Sequence, residues 1–106
     1  MEEKMQAVIN KKINLNIIDG VGTLIKRLEE ADNSEKCSIE NKIVAMGEKV
    51  VEYLADTLPT LEGVKRGVVA MSLIRIGENA LCALERKARE NAETAWIYNY
   101  LISEIR

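Results

Sequence analysis

The chain of 106 residues has no histidine and no phenylalanine, one proline (Pro59) and two cysteines (Cys37 and Cys82). Without histidine there is no Ser-His or Cys-His pair, and the commonest general base and metal ligand are missing. Two isolated cysteines without histidine do not compose a zinc site. No G-x-x-x-x-G-K-S/T loop or G-x-G-x-x-G turn occurs, and Asp19-Gly20 with Gly22 reads only as a helix break. Adjacent carboxylates such as Glu29 and Glu30 point in different directions on a helix. No catalytic residue, cofactor or metal is therefore assigned, and the expectation is a protein that is not an enzyme.

Positive charge is also in short supply. The formal net charge is −2, so the chain as a whole offers no field to replace the counterions of a nucleic acid. No uninterrupted apolar run reaches the roughly 18 residues of a membrane span. Glu2, Glu3 and Lys4 precede a mixed amphipathic stretch rather than an apolar signal core. The two cysteines lie far apart, with no C-x-x-C pair, and read as reduced thiols. These features imply a cytoplasmic protein with neither membrane nor nucleic acid as partner.

What is present is helical spacing. Met5, Val8, Ile9, Ile13 and Ile17 recur at intervals of three and four, the pattern of an amphipathic helix. Leu24, Ile25 and Leu28 carry a second helix to about Ala31, and Asp32-Asn33-Ser34 is a turn rich in N-cap residues. Ile39, Ile43, Val44 and Met46 mark a third. Val50, Val51, Leu54 and Leu58 mark a fourth, ended by Pro59 with Thr60 as the next cap. Val64, Val68, Val69, Met71, Leu73 and Ile76 mark a fifth. Ala80, Leu81, Leu84 and Ala88 mark a sixth. Asn91 caps a seventh, bearing Trp96, Ile97, Tyr100, Leu101, Ile102 and Ile105. Short turns leave no linker, so residues 1–106 form one all-α domain of about seven helices.

Two segments repeat without gaps. Ile43-Val44-Ala45-Met46-Gly47-Glu48-Lys49-Val50-Val51-Glu52-Tyr53-Leu54 aligns with Leu73-Ile74-Arg75-Ile76-Gly77-Glu78-Asn79-Ala80-Leu81-Cys82-Ala83-Leu84. Such a period is that of an α-α solenoid, in which stacked hairpins complete one another's core. On these residues the chain resembles the HEAT repeats, in particular the short kind called phycobilisome-lyase-like. The resemblance covers about half the chain and lacks the aspartate-proline turn common in that family. It implies a HEAT-like superhelix acting as a protein-interaction scaffold. A few members of the family are chromophore lyases or DNA-repair enzymes, so a lyase or chaperone-like factor is an alternative.

The register turns Gly47, Val50, Val51 and Leu54 inward, with Gly77, Ala80, Leu81 and Leu84. It turns Lys49, Glu52, Tyr53 and Asp56 outward, with Asn79, Cys82, Ala83 and Arg86, and Thr23, Lys26, Arg27 and Glu30 on the earlier helix. In a solenoid the second helix of each pair lines the concave, binding face. Lys49, Glu52, Tyr53, Asp56, Cys82 and Arg86 are thus the candidate contacts for a protein or peptide partner. Tyr53 is the sharpest of them, since tyrosine is enriched at interface hot spots; the bland reading lays it over the neighbouring helix. Cys82, one turn from Arg86, is a candidate nucleophile or attachment point on the lyase reading.

Charge divides along the chain. Residues 29–62 carry nine acids against three lysines, and residues 63–89 carry six bases against Glu78 and Glu85. Such a split steers a charged partner, drives head-to-tail association, or is merely solvated. Trp96 and Tyr100, four residues apart, share one face of the last helix. That helix either caps the stack or is buried by a second copy, which makes Trp96 and Tyr100 the candidate interface of a homodimer.

Overall fold

The computed structural model describes residue 17 and residues 19–106, and no strand occurs among them. Residues 19–27 are helical (α1). Five helices follow: α2 (Asn33–Met46), α3 (Val51–Thr57), α4 (Gly63–Ile76), α5 (Glu78–Glu90) and α6 (Ala95–Ile105). Short 3-10 turns, Gly47–Val50 and Leu58–Thr60, lead into and out of α3. The all-α class is as the spacing implies. The helix expected over Met5–Ile17 falls outside the described residues except for Ile17, so the described chain does not show seven helices.

Local chemistry explains most boundaries. The Asp32 carboxylate accepts the Glu35 N–H at 2.8 Å and caps α2, satisfying one of the free donors of the first turn. Both α2 and α4 end on glycine, Gly47 (φ 63°) and Gly77 (φ 78°). Pro59 lies in the turn that closes α3.

Three local expectations are corrected. Thr60 does not cap α4, because its hydroxyl donates back to the Thr57 carbonyl at 2.6 Å; the cap position is Glu62, without a side-chain bond. Asn91 does not cap α6, because its side chain accepts the Glu93 N–H at 3.0 Å and the helix starts after Thr94. Nor does Gly20-x-Gly22 break the chain. Residues 19–27 remain helical through both glycines, since burial of Val21, Leu24, Ile25 and Leu28 on one side outweighs their poor propensity.

α2 lies on α4, α3 on α5, α4 on α6, and α5 also on α6. One continuous core results, with Leu54 from α3, Leu58 from the turn after it, Leu73 from α4, Leu84 from α5 and Leu101 from α6 all inaccessible or nearly so. The inward set is right for Val50, Val51, Leu54, Ala80 and Leu84, but it interchanges two residues of α5. Ala83 is buried, whereas Leu81 is only partly so.

Candidate functional site

The side chains placed on the α3–α5 face do converge, and they converge on one another. Arg86 pairs with Glu52 across the two helices and reaches Glu90 at 3.6 Å. Lys87 pairs with Asp56 and lies 3.8 Å from Glu90. Glu52, Asp56 and Arg86 therefore belong to a ladder completed by Lys87 and Glu90, which the sequence did not single out. Lys49 and Cys82 are exposed beside it. Tyr53 is half-buried, with its hydroxyl lying 3.2 Å from where a Cβ on Gly22 of α1 would sit. It also borders a groove of about 450 Å³ shared with Lys26 and Thr57.

The divided charge of the sequence has the same destination. Lys65 pairs with Glu29, and Arg75 holds Glu40 at 2.7 Å and Asn41 at 2.9 Å. Three of these cross-links join residues 34 to 36 positions apart. Four acids of residues 29–62, Glu29, Glu40, Glu52 and Asp56, are thus paired with bases of residues 63–89. The bonds are exposed and screened, so they set the register of the stack more than its stability.

Charge states follow from these contacts. The hydrogen bond from Lys65 holds the Glu29 carboxyl below its ordinary range. Hydrogen bonds to Glu52 and Asp56 raise Arg86 and Lys87 respectively. Burial raises the Tyr98 phenol, whose hydroxyl donates to the Ala55 carbonyl at 2.8 Å and ties α6 to α3. Among the described residues no group of three metal-ligating acids or cysteines assembles.

The sign of the resulting pH dependence is fixed. Tyr98 and Lys87 are both raised in the folded chain, so their contribution is whole below the ordinary values and is lost as pH rises through the folded ones. Stability should therefore fall on the alkaline side, above about pH 10 for the phenol. Tyr98→Phe is expected to cost about 1–2 kcal/mol at neutral pH, because the Ala55 carbonyl loses its buried donor. It should also flatten the alkaline fall, as urea midpoints between pH 8 and 11 would show.

A second surface is apolar. Trp96 and Tyr100 are 64% and 60% exposed, and Val64 and Met71, assigned by spacing to the apolar face of α4, are 48% and 47% exposed. Trp96 and Tyr100 share one groove of about 360 Å³ with Gly63, Gly67 and Ala70 of α4. Both helices are apolar on more than their buried side, which is unusual for a helix facing water. Cys37 and Cys82 are both exposed free thiols.

Compared with known proteins, the chain matches no family model, no curated protein and no solved structure. No helix among the described residues is long and apolar enough to cross a membrane.

Proposed function

We propose that the chain is a non-catalytic protein-interaction module whose docking surface is the apolar α4–α6 face. One observation carries this reading: Trp96 and Tyr100 of α6 lie open to solvent and line one groove with Gly63, Gly67 and Ala70 of α4, and Val64 and Met71 are also exposed on α4. Contiguous apolar patches larger than a few hundred Å² are uncommon on soluble monomers and mark binding sites. The successive stacking of α2 on α4 on α6 and of α3 on α5 supports a short HEAT-like solenoid. In that architecture the ion-pair ladder is a brace between hairpins, leaving the α3–α5 charges already satisfied. Exposed free thiols favour a reducing compartment, the cytoplasm.

A second reading keeps a protein or peptide on the α3–α5 face. The half-buried Tyr53 beside its groove favours it, with Lys49 and Cys82 exposed at the ladder's edge.

The test of the leading reading is Trp96→Ala. A docking side chain this exposed contributes little to the isolated fold, so the unfolding free energy should change by less than about 1 kcal/mol. Binding of an apolar-surface dye to the native protein should drop. A loss of about 3 kcal/mol or more, as for a buried aromatic, would make Trp96 a structural cap and end the proposal.

A further inference from the structure

Trp96 and Tyr100 of α6 border a groove of about 360 Å³ whose buried lining is Leu58, Ile97 and Leu101. On the α4 side the wall is low, because Gly67 and Ala70 have little or no side chain. The volume lies at the small end of ligand sites and suits one or two large side chains rather than a cofactor. One lining residue is ionic, Arg66, and no acid lines the groove.

Three bases lie on α4. Lys65 pairs with Glu29, and Arg75 with Glu40. Arg66 pairs with no carboxylate among the described residues. Its Nε donates to the Leu61 carbonyl at 2.8 Å, which holds the half-buried side chain in place. The guanidinium is a planar fork of N–H donors. Among the described residues, those on its two Nη atoms find no acceptor. Water serves them while the groove is open, and whatever fills the groove removes that water. A purely apolar occupant leaves the charge stranded beside it, at a higher cost than for a neutral donor. An occupant with a carboxylate at that edge replaces the water with a charge-assisted, bidentate pair.

This chemistry selects among partners. A second copy would bring another Arg66 and no acid from its own groove. A nucleic acid or an anionic membrane is held by several cations on one face, and here one lines the groove. A phosphorylated segment carries up to about two charges against this single cation. One carboxylate matches it. We propose that the α4–α6 groove binds a protein segment that seats a large apolar side chain against Leu58, Ile97 and Leu101 and sets a glutamate or aspartate carboxylate on Arg66. This rests on the reading of that face as a docking surface and names the chemistry of its partner.

The probes are capped synthetic peptides in matched sets. The first set carries a leucine and a glutamate up to about one helical turn apart on an alanine-rich background. The second replaces the glutamate by glutamine, and the third replaces the leucine by alanine. Emission of Trp96, the sole tryptophan, reports binding to the wild-type chain and to Arg66→Gln. At least one leucine–glutamate peptide should shift the emission to the blue, with a Kd of about ten to several hundred micromolar. Its glutamine counterpart should bind at least about tenfold more weakly, and its alanine counterpart should not bind. In Arg66→Gln the glutamate and glutamine peptides should bind alike. Arg66→Lys, which keeps the charge without the planar fork, should retain part of the preference. The comparison of peptides on the wild-type chain holds even if a variant misfolds. Equal binding of the glutamate and glutamine peptides there overturns the pairing with Arg66, and no binding at millimolar peptide overturns the segment as occupant. A blue shift that grows with protein concentration alone gives the groove to a second copy and overturns the proposal too. The docking surface itself stands or falls on the Trp96→Ala result above.

Discussion

Leu84→Ala is expected to lower the unfolding free energy by about 3 kcal/mol, within the range for deleting a buried leucine. Leu84 is inaccessible to solvent and sits on α5, the helix that packs against both α3 and α6. Its neighbours come from separate helices held by their own hairpins, so the void has little means of collapsing. In a domain whose whole stability is roughly 5–15 kcal/mol, this is a large fraction. At this size it corresponds to a fall in thermal midpoint of roughly 12–20 °C. Leu81→Ala is the internal control. The repeat register gives Leu81 the same inward standing, but its side chain is only partly buried, and its loss should be less than half as large. Urea unfolding followed by circular dichroism, at one protein concentration, measures both. Equal losses would mean that Leu81 is as deeply buried as Leu84.

That pair shows where sequence reasoning carries and where it stops. Spacing of three and four found the helices that the described residues contain, and it found the buried positions Val50, Leu54 and Leu84, because each faces a neighbour of the same kind. It transferred the pattern of α3 onto α5 residue by residue, and failed at Leu81 and Ala83, where the burial of α5 differs from that of α3. Tyr98 went unnoticed for a related reason. In Ala95–Ile105 apolar residues occupy nearly every side, so periodicity cannot say which aromatic turns inward; the structure buries Tyr98 and leaves Trp96 and Tyr100 open. The division of charge was visible, but not its use. Knowing that Glu52 meets Arg86 requires knowing that α3 lies on α5. Glu52, Asp56 and Arg86 were correctly grouped on one face, while Lys87 and Glu90, which complete the ladder, carried no signal separate from other surface charges. Gly67 had none either, since a glycine in a helical pattern looks like noise until its surroundings are seen to be empty.

Gly77→Ala is expected to cost about 1–3 kcal/mol, although alanine is the better helix former. Gly77 has φ 78° and ψ −135°, and its repeat counterpart Gly47 has φ 63° and ψ −144°. That region is nearly closed to residues with an L-configured Cβ. Space is not the obstacle. A Cβ on Gly77 would lie 3.9 Å from the Arg75 and Ile74 carbonyl oxygens, and one on Gly47 would meet nothing within 4 Å. Repeat pattern alone turned both glycines toward the core, as if packing required them; the backbone conformation requires them instead. D-alanine at position 77, introduced by chemical synthesis, should therefore be tolerated far better than L-alanine, because its preferred φ is positive. Loss of stability with both enantiomers would return the explanation to crowding. Gly47→Ala should cost a similar amount, since the same turn joins the first helix of each hairpin to the second. Substitution to alanine thus separates two kinds of glycine in this chain. At Gly47 and Gly77 the fold depends on the missing Cβ. At Gly67, where an added Cβ would meet nothing within 4 Å, the fold gains from replacing it.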